Sequence, residues 1–479
     1  MSAYKNINEA LETPQPTESA LSHLWGALVV AAVVFAACLF GILTRPLDFL
    51  AAFWPANAIL LGLLVRCPHL ATPAGWGAAL VGYLSADLLT GGGLEMTLWM
   101  TAANLFGVVA GYLIFRRLSV EDRKLQRPQS VLFMFAICVV VAACSGVVGA
   151  GITPFYFGHE VSMGVLIWFS TELVNSLVVL PVILTAPSWA LAALNPARSI
   201  RRWRLEWRRG VPLLALLVSL AASFYIGGPG AIAFPVPALL WCALSYSLFS
   251  TVLLTMAVST SYLIAVAFIG DAMHVGSDIT STVSIRMGVT FLVLGPMMVA
   301  SINSVREELL RTLDHAANHD ALTGCLLRAP FMARSEARIA QQKQRGMSAA
   351  MLMLDIDHFK SINDRYGHPM GDQALLAFSS AIKPLLRKRD LLGRLGGEEF
   401  AVLMTSVTFE ETMAIAQRLC DEVRKQKVTL DVGDTISMTV SIGVCWQQRA
   451  DLPLRQMLIN SDKALYQAKS TGRNKVVSL

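Results

Sequence analysis

Two acidic stretches in the C-terminal third carry the residue types of metal-assisted phosphoryl chemistry. The first is Asp355-Ile356-Asp357, which ends the apolar run 349–354. The second is Gly396-Gly397-Glu398-Glu399-Phe400, set between Leu391-Leu392 and Ala401-Val402-Leu403-Met404. A Gly-Gly pair between strand-like runs predicts a hairpin in which both glycines take φ > 0. A carboxylate at the end of a buried strand, with a second carboxylate pair on a nearby hairpin, is how polymerase-like palms hold two metal ions. On the local pattern alone, a surface hairpin with solvated glutamates fits equally well.

The residues between these stretches offer the remaining chemistry. Backbone amides after Asp357, with Lys360, suit a triphosphate. Asn363 and Asp372 supply the acceptors and donors that a purine edge needs. The plainer role for Asp372 is to N-cap a helix over 373–386. Strands near 349–356, 390–395, 400–405 and 437–446, with helices near 371–386, 408–427 and 454–470, would position these groups.

The chain has 479 residues, too many for one ordinary core. Hydrophobic residues make up 54% of it and the mean hydropathy is +0.55, too apolar for a wholly soluble protein. The excess lies before residue 305. Spanning a bilayer takes roughly 20 apolar residues. Runs near 24–43, 48–65, 73–91, 97–115, 130–152, 162–186, 211–227, 231–248, 252–270 and 283–303 are the candidates, about ten in all.

The net charge of +6 is placed in loops, as membrane topology requires, and points to no nucleic-acid partner. With the N-terminus inside, the inner loops carry Arg66; Arg116, Arg117, Arg123, Lys124 and Arg127; and Arg198, Arg201, Arg202, Arg204, Arg208 and Arg209. The outer loops hold little beyond Arg45, with Arg286 at the outer end of the last span. An even number of spans returns the chain to the cytoplasm. The first 22 residues lack the basic start of a cleaved signal peptide. None of the eight cysteines forms a CxxC pair, so free thiols are expected, with neither zinc nor a disulfide framework. Asn57, Asp87, Asn104, Glu172, Asn175 and Arg286 are polar positions within spans, each a functional candidate or a helix–helix hydrogen-bonding group. Val305, Leu309, Leu313 and Ala316 fall at helical spacing in a short amphipathic connector, which is either a spacer or a parallel dimer stalk.

Taken in order, the C-terminal motifs are His319-Asp320-Ala321-Leu322-Thr323-Gly324, Asp355 to Lys360, Asn363-Asp364, Gly367-His368, Gly371-Asp372, Gly396 to Phe400, Ser441-Ile442-Gly443-Val444, and Ala464 to Lys469 with Gly472-Arg473-Asn474. This series closely resembles the GGDEF domain of diguanylate cyclases. The resemblance implies an α+β fold with a central antiparallel sheet, akin to nucleotidyl cyclases and palms. It also implies condensation of two GTP into cyclic di-GMP and pyrophosphate by two facing protomers. Asp355, the Ile356 carbonyl and Glu398 would be the ligands of Mg²⁺, with Mn²⁺ as an alternative, and Glu398 would also accept the 3′-hydroxyl proton. Phe359 and Lys360 would form the phosphate turn, and Asn363, His368 and Asp372 would bind substrate, Asn363 and Asp372 on guanine. Gly396 and Gly397 would let the nucleotide approach, while Lys469 and Arg473 would neutralise the triphosphate. Glu398 stands where the eponymous motif has Asp; active members accept both. Cys325 and Leu327 depart from the usual Leu and Asn. Arg387-Lys388-Arg389-Asp390 matches the family's RxxD inhibitory product site, with a basic helix end as the bland alternative.

Two patches in the apolar half, Phe53-Trp54-Pro55-Ala56-Asn57 and Trp168 through Asn175 to Pro181, resemble the first of the MASE series of bacterial membrane-associated sensor domains. Ala58 stands where that family often has Gly. The two resemblances imply a cytoplasmic segment 1–22, a sensor domain 23–304, a connecting helix 305–318 and a cyclase domain 319–479. They place the chain as a multi-pass, homodimeric protein in the lipid of the cell's inner membrane, with the cyclase domain cytoplasmic. A non-enzymatic cyclic di-GMP receptor and a transporter with a regulatory domain are the competing classes.

Overall fold

The computed structural model describes residues 20–45, 51–156, 158, 160–187, 210–228, 230–269, 279–429 and 435–479. Most of the N-terminal segment 1–22 and the arginines at 198, 201, 202, 204, 208 and 209 lie outside the described residues. The chain divides into two compact units, Met1–Glu308 and Leu309–Leu479.

The first unit is helical. Its main helices are α1 (Ala20–Leu43), α2 (Ala56–Arg66), α3 (Pro73–Leu89), α4 (Leu94–Phe115), α5 (Pro128–Ala150), α6 (Val161–Thr185), α7 (Val211–Ile226), α8 (Pro235–Ser245), α9 (Leu248–Ile269) and α10 (Ile279–Asn318). Among the described residues, six helices are long and apolar enough to cross a membrane: α1, α4, α5, α6, α9 and α10. Four of the expected runs fall on the shorter helices α2, α3, α7 and α8. Gly107 and Gly111, one turn apart on α4, let that helix close onto Val141 of α5, where a Cβ would collide. Small residues on one helix face permit such approach where lipid offers no hydrophobic contrast. The last span and the connector are one element, since α10 runs unbroken to Asn318.

The second unit is a six-stranded sheet in the order β1-β3-β4-β2-β7-β8. The strands are β1 (Leu326–Leu327), β2 (Ala349–Ile356), β3 (Leu391–Gly396), β4 (Glu399–Thr405), β7 (Val440–Gln447) and β8 (Val476–Ser478); β5 (Lys427–Thr429) and β6 (Thr435–Ser437) pair separately. The four central strands are antiparallel, as expected. Both edges pair in parallel, so the sheet is mixed and not purely antiparallel. Edge strands of two and three residues are too short to show a periodicity, which is why pattern reading missed them.

Helices cover both faces. Ala350, Leu352 and Leu354 of β2 pack with Phe378 and Leu419, while Met351 and Met353 pack with Phe331, Met457 and Leu465. Alternate side chains enter two different cores, so β2 reads as one continuous apolar run. The helices are α11 (Arg328–Arg345), α12 (Phe359–Tyr366), α13 (His368–Ile382), α14 (Phe409–Lys425) and α15 (Leu454–Ser470). α13 begins at His368, with Pro369 in its first turn. Asp372 therefore lies inside the helix and does not N-cap it. Pro fits a first helical turn because its missing N–H has no partner there to lose. That start signal outranks the acid four residues on.

At Gly443 of β7, an added Cβ would strike the Leu465 nitrogen and Ser461 oxygen of α15. Backbone meets backbone here, and no rotamer change relieves the clash. Gly443→Ala is expected to destabilise the cyclase unit by about 1–3 kcal/mol, the usual cost of overpacking. A lowered heat-unfolding midpoint of the full chain checks this.

Candidate active site

β2 delivers Asp355 to the sheet's end opposite Glu399 of β4 and Ser441 of β7. Only 5% of Asp355 is exposed, and its Oδ2 lies 2.7 Å from Lys469 Nζ, which α15 brings over the sheet. Burial pushes the Asp355 carboxyl above the ordinary range, the Lys469 ammonium pulls it down, and Glu398 and Glu399 push it up again; the net shift is upward. One buried carboxylate thus feels both hairpin acids and one ammonium.

The hairpin departs from expectation. Gly396 pairs with Glu399, leaving Gly397 and Glu398 as a two-residue tip. Neither Gly396 nor Gly397 takes a positive φ. A register shift between Arg394 and Gly396 supplies the extra twist instead, as bulges do. A Cβ on Gly397 would meet nothing within 4 Å, so the tip is open around it. Arg394 fixes the tip, donating from Nε and Nη2 to the Gly397 carbonyl at 3.0 and 2.8 Å. Its Nη1 donates to Asp320 Oδ1 at 2.9 Å.

Past β2 the chain turns through His358 at φ 58° into α12. Phe359 is buried in the core while Lys360 is exposed, so of the two residues expected in a phosphate turn only Lys360 presents its side chain to solvent. Asn363 of α12 and Asp372 of α13 come to one helix junction. Gly371 makes this possible, because a Cβ there would occupy the space of the Asn363 amide. His368 and Asp372 are exposed at the start of α13.

The structure also brings in residues that the sequence left without a role. Asp357 is 4% exposed. It accepts from Thr439 Oγ1 at 2.7 Å, Ser441 Oγ at 2.7 Å and the Asn474 amide at 3.0 Å. It thereby clamps the loop that holds Arg473. Gly472, Arg473 and Asn474 all take positive φ, and this succession keeps Arg473 exposed one turn beyond Lys469. Such a run was the available signal for a bound loop. Away from this cluster, Asp390 Oδ2 accepts from the Arg387 amide at 2.8 Å, and Arg387 lies 3.7 Å from Glu411. Burial pushes the Asp390 carboxyl up against the pull of Arg387, Arg389 and Arg338, and its Oδ1 is buried without a hydrogen-bond partner.

The sheet thus ends in one buried acid and two hairpin acids, beside an ammonium and the junction of α12 and α13. The profile of the family "Diguanylate cyclase, GGDEF domain" matches residues 317–475. The chain belongs to the GGDEF diguanylate cyclases and is an enzyme of that activity. It is 32% identical to the probable diguanylate cyclase DgcF of Escherichia coli K12, over 65% of this chain and 96% of that protein. It is 29% identical to its O157:H7 counterpart, over 90% and 89% of the two chains. Among solved structures, the coiled coil and GGDEF domain of DgcB from Caulobacter crescentus, in complex with c-di-GMP, aligns at a TM-score of 0.36 and 26% identity, over 38% of this chain and 94% of that one.

Because the Asp355 carboxyl titrates above the ordinary range, it regains its proton at a higher pH as the solution is acidified. The acid limb of the pH–rate profile should follow that protonation. Lys469→Met removes the ammonium that favours the charged form and should move the limb to higher pH, besides lowering activity. Measuring kcat/KM for GTP against pH in both proteins tests this.

Proposed function

We propose that this protein is a membrane-tethered diguanylate cyclase in which two copies each hold one GTP and face one another. The 3′-hydroxyl of each GTP attacks the α-phosphorus of the other. Two P–O bonds form, two pyrophosphates leave and cyclic di-GMP results. The supporting observation is the Asp355 strand end, already paired with a cation at 2.7 Å and facing the hairpin acids.

That donor set fits Mg²⁺. Among the described residues no group of three or more His, Cys, Asp or Glu forms a ready metal cage. Mg²⁺ commonly takes one or two carboxylates and completes its shell with substrate phosphates and water. Asp355, the Ile356 carbonyl and Glu398 are the ligands we assign, and Mn²⁺ is the alternative ion. When bound, the metal neutralises charge developing on the phosphates. Glu398, at the hairpin tip, takes the proton of the attacking 3′-hydroxyl. Lys469, Arg473 and Lys360 oppose the triphosphate charge, which phosphoryl transfer requires. Asn363 and Asp372 read guanine, with His368 at the same helix start.

Dimerisation has a candidate element in α10, where Leu309, Leu310 and Leu313 are each more than half exposed. The first unit is read as a MASE-type sensor, multi-pass in the inner membrane with both termini cytoplasmic. At Arg387 and Asp390 we place the inhibitory product site. The Asp390 carboxylate, which here accepts from the Arg387 amide, would turn to accept from the guanine edge of cyclic di-GMP.

Glu398→Ala should lower cyclic di-GMP formation by about 10²–10⁴-fold, the range for loss of a general base; undiminished product would refute the assignment. Arg387→Ala should leave the initial rate intact and abolish slowing as product accumulates. A time course with added cyclic di-GMP reads this directly.

A further inference from the structure

The helical unit contains a cavity of about 40 Å³ whose lining includes Arg45, Trp54, Asp87, Asn104, Trp168 and Glu172. Its floor is a hydrogen-bonded network. Asn57 donates to Glu172 Oε2 at 2.7 Å and to Asn104 Oδ1 at 3.0 Å, and accepts from the Tyr83 hydroxyl at 2.7 Å. Ser176 donates to Glu172 Oε1 at 3.2 Å. Glu172 is 4% exposed. An ionisable group at that depth is costly and marks a site by default. Trp54 lines the same cavity, and its indole N–H is buried without an acceptor.

These residues gather at one end of the bundle. Arg45 follows α1, Trp54 precedes α2, Asp87 lies near the end of α3, and Trp168 lies in the second turn of α6. Asn104 lies about 15 Å along α4 from its start, and Glu172 lies one turn, about 6 Å, beyond Trp168 on α6, at 1.5 Å per residue. Arg66, Arg116 and Arg117 mark the opposite ends of α2 and α4. With those arginines inside, the cavity faces the outer aqueous side.

The lining asks for two charges on one small molecule. Two carboxylates and two indole rings attract a cation. Arg45 attracts a carboxylate. The volume holds about three waters, so the molecule is small. We propose that the cavity binds a small zwitterion carrying an ammonium and a carboxylate, of the size of glycine or alanine. This rests on reading the helical unit as a sensor and names the ligand class of that sensor. Thr171, next to Glu172 and also on the cavity wall, accepts from Arg286 Nη1 at 2.7 Å. Arg286 belongs to α10, the helix that leads out of the unit. Occupancy therefore bears on the output helix through one hydrogen bond.

Isothermal titration of the full chain in detergent, with glycine and L-alanine as probes, tests the site. Saturable binding of at least one probe is expected. Asp87→Asn and Trp54→Phe should each weaken it by about tenfold or more. Methylammonium and acetate, each carrying half of the ligand, should bind weaker by a similar factor, and Glu398→Ala should bind as wild type. No saturable heat from either amino acid, equal binding of methylammonium or acetate, or unchanged binding in both cavity variants overturns the site. Cyclic di-GMP production by the same preparation separates the two readings. An active enzyme that binds neither probe overturns the cavity alone. Binding without any change in rate leaves the cavity assigned and overturns the sensor role.

Discussion

The guanidinium of Arg394 ties the tip of the β3–β4 hairpin to the start of the second unit. It reaches the Gly397 carbonyl with two nitrogens and the Asp320 carboxylate with a third. Asp320 is held in turn by the Thr323 amide and hydroxyl at 2.8 and 2.6 Å. Burial pushes the Asp320 carboxyl up, but these donors and Arg394 bring it below the ordinary range. A bifurcated, charge-assisted anchor of this kind has a direction as well as a strength. It sets where Glu398 stands, because Gly397 is its neighbour in a tip of two residues. The contacts begin two residues after α10 ends at Asn318.

Around that anchor the site is assembled from elements whose positions are fixed for other reasons. β2 lies at the centre of the sheet with both of its faces buried, and its end holds Asp355 at the edge of the core. α15 must lie close to β7 because Gly443 admits its backbone, and this brings Lys469 over the sheet end. Asp357 ties the loop after α15 to β7, so Arg473 is held by the same strand pair. Buried acceptors that receive several hydrogen bonds define geometry well, since each lost bond strands a desolvated group.

Most of the cyclase unit could be read from the chain. The strand ends, the order of the acidic motifs and the spacing of Asn363 and Asp372 are local patterns, and local patterns survive in sequence. The conformation of the Gly396-Gly397 turn did not follow from its residues. A register shift provided the twist that positive φ would have given, and register is a property of strand pairs. The Asp320–Arg394 contact joins residues 74 apart, and the Asp357–Asn474 contact joins residues 117 apart. No spacing rule relates such pairs. In the helical unit, the polar residues within spans were legible one by one. Their convergence on one cavity was not, because it depends on how α2, α3, α4 and α6 pack.

Gly371 separates folding from recognition. A methyl group there would displace the amide of Asn363, the free end of a flexible side chain, and press only lightly on the ring of Phe359. On the guanine-reading role proposed for Asn363, substrate would lose that contact, while the Arg394 anchor and the Arg387 turn lie on other residues. One added carbon is thus a short evolutionary route from a cyclase to a silent module that still folds and still presents its surface turn. The family's signature acids would survive that change unaltered, so their presence in a chain says less about catalysis than the absence of a side chain at this glycine.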